Sequence, residues 1–176
     1  MEIIVNRRKA LLGVAGAAAL PMFVSRVAEA QTGDQTMNQF VKTTLQYGEL
    51  SKATSRIAHT NAMETYVKEF AEGEILEQTA IAQSLTSMQK PSPVPLTEDQ
   101  KMVLQKIKEH VGQSDFDIVY VRAQLKAHQT LYTMFKGYVD NSPNYSSDLT
   151  HIILIGLAFV RNHVYILKQL EATIQQ

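Results

Sequence analysis

The chain contains no cysteine. This excludes disulfides, thiolate catalysis, thiolate metal sites, c-type haem attachment and the lipid anchor that lipoproteins carry on a cysteine after their signal. Stability must come from packing alone. Proline is scarce, and after residue 30 it occurs only at Pro91, Pro93, Pro95 and Pro143. Excess charge is missing as well, with 17 basic and 17 acidic residues. A face basic enough to neutralise nucleic-acid phosphates is therefore not expected. There is no Gly-x-Ser-x-Gly elbow, no phosphate-cradling glycine loop and no His-Glu-x-x-His. The sequence accordingly predicts neither an enzyme nor a bound cofactor, and no catalytic residue.

What is present begins with an export signal. Asn6-Arg7-Arg8-Lys9-Ala10 precedes an apolar stretch rich in Ala and Gly that runs to about Val24, and Ala28-Glu29-Ala30 has the small-x-small pattern of a cleavage site. The stretch falls short of the roughly 20 residues a spanning helix needs. No transmembrane helix is expected, so residues 1–30 read as a cleavable signal and 31–176 as one periplasmic domain. The paired arginines resemble the signal for the route that exports folded proteins, with Asn6 where Ser or Thr is usual and Ala10 where Phe is usual. Cleavage would remove four basic and two acidic residues and leave a net charge of about −2.

The rest reads as helix. A first helix is expected over 36–60, with Phe40, Val41, Leu45, Gly48, Ile57 and Ala58 roughly along one face. Asn61-Ala62-Met63-Glu64 has capping-box spacing and predicts a second helix to about residue 89. The proline stretch 91–95 is an extended connector. Thr97-Glu98-Asp99-Gln100 is another capping box and opens a short helix that stops at Gly112. Ser114 and Asp117 cap a third long helix that reaches about Val139, and residues 140–144 form a turn. The last helix, from near Ser147, carries Leu149, Ile153, Gly156, Val160, His163, Leu167, Leu170 and Ile174 at steps of three and four, the spacing of a bundle seam. The fold class is all-α: an antiparallel four-helix bundle with one extra short helix.

Phe116-Asp117-Ile118-Val119-Tyr120 followed by His128, together with Phe70-Ala71 and His163, resembles a large bacterial family of exported proteins that carry a domain of unknown function, often labelled outer-membrane proteins. The resemblance covers Phe40 to Leu170 and implies a ferritin-like fold. Such bundles can hold two metals, with a carboxylate from each of two helices and Glu-x-x-His from each of the others. Here the family's helix-two histidine position is Gln78, its helix-one acidic position is Ser51, and Val160 stands three residues before His163. No metal site is therefore expected.

His128 shares a stripe with Asp117, Tyr120, Gln124, Leu131 and Phe135, and His163 lies in the apolar seam of the last helix. The two histidines could be ligands, but the favoured reading is a buried polar pair in which His128 and His163 hydrogen-bond to Asp117, Tyr120 or Gln124 inside the core. Glu74 and Glu77 accompany Glu64, Glu69 and Glu72 and read as a solvated acidic flank. His59, His110 and His151 lie near helix ends, where capping or surface roles suffice.

The last helix also carries a second apolar stripe, Ile152, Ile155, Phe159 and Ile166, which something must cover. The short helix and a partner surface are equal alternatives. Overall character is similar to the small third subunit of the membrane-bound quinohaemoprotein alcohol dehydrogenase of acetic acid bacteria. The expectation is a non-catalytic periplasmic accessory protein that stabilises a partner complex, such as a respiratory dehydrogenase at the inner membrane. A metal-binding ferritin-like protein and an envelope-stress protein are the alternatives.

Overall fold

The computed structural model describes residues 33–141 and 147–175, all within the unit Gln31–Gln176. The expected signal and most of the turn at 140–144 lie outside the described residues. Those described form five helices and no strand: α1 (Gly33–Asn61), α2 (Thr65–Gln89), α3 (Glu98–Glu109), α4 (Phe116–Asn141) and α5 (Asp148–Ile174).

Thr97 caps α3 as its spacing predicts: its side chain accepts from the Gln100 backbone N–H while the Gln100 side chain accepts from the Thr97 N–H. Gly112, at φ +81°, takes the left-handed backbone just past that helix. Ser147 caps α5 by accepting from Thr150 N–H. The box at Asn61 does not form. Asn61 remains in α1, its side-chain amide donating to the Ile57 carbonyl, and α2 begins at Thr65 with no side-chain cap of its own. Its first donors go instead to Asp117, whose carboxylate accepts from Met63 N–H at 3.0 Å and Glu64 N–H at 2.7 Å. Asp117 thus caps a neighbouring helix across 53 residues of sequence, which local spacing cannot reveal.

The chain is arranged as two hairpins, α1 with α2 and α4 with α5, each packed along an extensive seam. Ser51 meets Glu74 and Gly48 meets Gln78, so α1 and α2 run in opposite senses. Ser55 meets Tyr120 and Phe40 meets Phe135, so α1 and α4 are also opposed. Arg122 meets Glu171 and Phe135 meets Gly156, which opposes α4 and α5. It follows that α2 and α4 run in the same sense. The chain returns between them through 90–97 and α3, which packs on α1 and α4.

Apolar residues fill the two ends of this bundle. At one end Ala58, Val67, Phe70, Phe116, Tyr120 and Leu167 cluster; at the other, Phe40, Leu85, Leu131, Phe135, Ile153 and Val160 do. Between them lies a buried polar layer: Ser51, Thr54, Ser55, Glu74, Gln78, Gln124, His128 and His163. A polar layer at that depth is tolerated only if its members satisfy one another.

Candidate metal centre

Three helices contribute to the centre of this layer. Glu74 comes from α2, His128 from α4 and His163 from α5. Glu74 and His128 are fully buried and His163 is 7% exposed. Glu74 Oε2 lies 3.0 Å from His163 Nδ1 and 3.3 Å from His128 Nε2, and the two ring nitrogens are 3.2 Å apart. These are nearly equal edges of one triangle. Around an ion with bonds of about 2.1 Å, neighbouring ligand atoms are about 3.0 Å apart at right angles and about 3.4 Å apart in a tetrahedron. The triangle falls between those values.

The atoms behind the triangle fix its chemistry. His128 Nδ1 lies 2.9 Å from the Gln124 carbonyl oxygen, to which it must donate, so Nε2 is the nitrogen that faces inward. His163 Nε2 lies 3.2 Å from Glu77 Oε2, leaving Nδ1 to face Glu74. Each imidazole therefore has an oxygen facing its outer nitrogen, the Gln124 carbonyl for His128 and the Glu77 carboxylate for His163, as metal-binding histidines do. Glu74 Oε1 is held by the Ser51 hydroxyl at 2.6 Å and the Gln78 amide N–H at 2.8 Å. Its Oε2, although fully buried, accepts no well-directed hydrogen bond. A buried carboxylate oxygen in that condition costs stability unless a cation satisfies it. The Phe70 ring packs nearly perpendicular to His163, at 5.1 Å between centroids, and borders His128.

In the metal-free state a proton can serve as that cation. Burial would push the Glu74 carboxyl up, but His128 and His163 beside it outweigh burial and hold it well below the usual carboxylate range. Burial would lower His163, but its contacts with Glu74 and Glu77 raise it to about 9. A divalent ion at the triangle would take the place of the His163 proton on Nδ1.

Several expectations are corrected here. Glu74 is not part of a solvated flank; it is fully buried and its carboxylate faces both histidines. Helical spacing places it in line with Val67, Ala71, Gln78 and Leu85, all buried, and that alignment was the signal to follow. Of the three expected partners Gln124 bonds His128, whereas Asp117 and Tyr120 bond elsewhere: Asp117 caps α2, and Tyr120 pairs with Ser55 at 2.8 Å, with burial raising its phenol far above the ordinary value. Gln124 supports the centre twice, through its carbonyl on His128 and through its side chain beside Ser51, Thr54 and Ser55. Ser51 and Gln78 both donate to Glu74 Oε1 and so fix the carboxylate. Gly48 makes room for Gln78, since a Cβ there would lie 2.7 Å from Gln78 Oε1.

The second stripe of α5 lies apart from the centre. Ile155 and Phe159 are 55% and 41% exposed, whereas Ile152 and Ile166 are partly buried against the two apolar clusters. The short helix does not cover this stripe, because it packs on α1 and α4.

Among the described residues, five helices and a buried carboxylate with two imidazoles define an all-helical domain with a candidate metal centre. The chain belongs to the family described as Domain of unknown function (DUF4142), which matches residues 23–170. Neither the curated proteins nor the solved structures contain a match.

Proposed function

We propose that the protein binds one divalent first-row transition ion through Glu74, His128 and His163. The observation that carries this reading is the convergence of three buried ligand atoms, one of them a carboxylate oxygen without a directed hydrogen bond, within 4.8 Å of one another. Two imidazoles and one carboxylate suit zinc, ferrous iron, manganese or cobalt, and no soft sulfur ligand is offered. The opposed senses of α1 and α2 and of α4 and α5, joined by a single return between α2 and α4, support a ferritin-like reading of the bundle. Ser51 and Gln78 favour one ion over two. The role proposed is binding, without catalysis.

The test is elemental analysis and calorimetric titration of the purified domain 31–176 with Zn²⁺, Fe²⁺, Mn²⁺ and Co²⁺. About one ion per chain is expected, lost in Glu74→Gln and His128→Ala variants whose helical circular dichroism persists. Failure to retain any of the four ions at neutral pH would refute the proposal.

A second reading has its own support. The uncovered Ile155 and Phe159 favour a protein partner on α5, in keeping with an accessory role in the periplasm beside a membrane-bound dehydrogenase.

A further inference from the structure

The metal-binding reading raises the question of how an ion reaches a centre whose ligands are closed to solvent. On the α1 side the way is sealed. Gln78 is buried with its amide tight against Gly48, and Ser51, also buried, lies between Glu74 Oε1 and Gln124 Oε1 at 2.6 and 2.7 Å. Phe70 closes the face toward one apolar cluster, and Phe135 and Val160 belong to the other. The remaining direction is the seam between α2 and α5, where contact is less extensive than within either hairpin.

At this seam stand His163 and Glu77. Glu77 has a side chain 30% exposed, against 0% for Glu74 and His128. Its Oε2 is itself buried, lacks a directed hydrogen bond and lies 3.2 Å from His163 Nε2. Two of the residues one turn from Glu77 on α2 are small: Gly73, beyond whose Cβ position nothing lies within 4 Å, and the exposed Ala80. The His163 ring thus stands between two carboxylates, with Nδ1 toward Glu74 at 3.0 Å and Nε2 toward Glu77 at 3.2 Å.

We infer that Glu77 is the port of the centre: it captures a hydrated divalent cation at the α2–α5 seam and passes it inward past the His163 ring to Glu74 and His128. The inference rests on the metal-binding reading. An anionic group at the mouth of a low-dielectric opening raises local cation concentration and the rate of association. A residue that only orients His163 would act on how long the ion stays.

Stopped-flow uptake of Co²⁺, followed by its visible absorbance, separates these roles in the domain 31–176. In Glu77→Gln an amide oxygen of the same shape can face His163 Nε2 while the charge is gone. The association rate constant is expected to fall about tenfold or more and to lose most of its salt dependence, with no rise in dissociation rate. Ala80→Leu adds a side chain that leans back over the turn holding Glu77, and should slow uptake and release together at an unchanged Kd. Normal uptake rates in both variants, or an affinity loss in Glu77→Gln carried wholly by faster dissociation, would overturn the port. Absence of Co²⁺ binding by the unsubstituted domain would refute the metal centre itself, and the port with it.

Discussion

Glu74 Oε2 and His163 Nδ1 lie 3.0 Å apart on different helices, both closed to solvent, yet the carboxylate oxygen accepts no directed hydrogen bond. A proton on His163 favours this pair in the metal-free state, and that dependence has consequences for pH.

For pH, the sign follows from His163. Its folded-state value, raised from 6.5 to about 9, means that the protonated ring favours the fold; this stabilisation is complete below pH 6.5 and disappears as pH rises through about 9. The metal-free domain should therefore show a Tm that declines between those values. Metal affinity should move the opposite way, rising with pH because the ion must displace that proton. Thermal melts of the free and Zn²⁺-loaded domain across this range measure both trends. A metal-free Tm that is flat or rising from pH 6.5 to 9 would contradict the assignment.

Two glycines separate stability from site geometry. A Cβ at Gly156 would lie 2.5 Å from Phe135 Cε2, deep in an apolar cluster, so Gly156→Ala should cost about 1–3 kcal/mol in denaturant unfolding through overpacking. At Gly48 the clash is with the end of a flexible side chain, Gln78 Oε1 at 2.7 Å. Gly48→Ala should cost little stability but displace the amide from Glu74 Oε1, weakening metal binding severalfold in calorimetry.

Asp117 ties the α1–α2 turn to the start of α4. Removing its carboxylate leaves the Met63 and Glu64 N–H groups without their acceptor. Asp117→Ala should destabilise the domain by about 1–3 kcal/mol without changing metal stoichiometry, since it does not touch the centre. Parallel urea unfolding and elemental analysis test this separation.

The α5 stripe should matter for assembly and not for folding. Polar substitution at Ile155 and Phe159, both substantially exposed, should leave circular dichroism and Tm within experimental error while abolishing co-purification with a periplasmic partner from the native host. Unfolding of the doubly substituted domain would show that the stripe is core, and retained co-purification would place any partner elsewhere.

Much of this protein is local in origin. Scarce proline, the Thr97 capping box, the Ser147 cap and the three-and-four spacing of Leu149 to Leu167 specify helices and their inward faces from residues within a few turns, because hydrogen bonds and side-chain stripes in a helix are themselves short-range. The inward positions of His128 and His163 were legible for the same reason. Asp117 was misread as a cap for its own helix because its true acceptor role joins positions 53 and 54 residues apart. Glu74 was obscured by Glu64, Glu69 and Glu72 along the same helix, although its alignment with Val67, Ala71 and Leu85 pointed inward. Only packing could decide what Glu74 meets there. The triangle draws one atom from each of three helices, and such convergence depends on how the helices rotate and approach one another, which no single helix encodes.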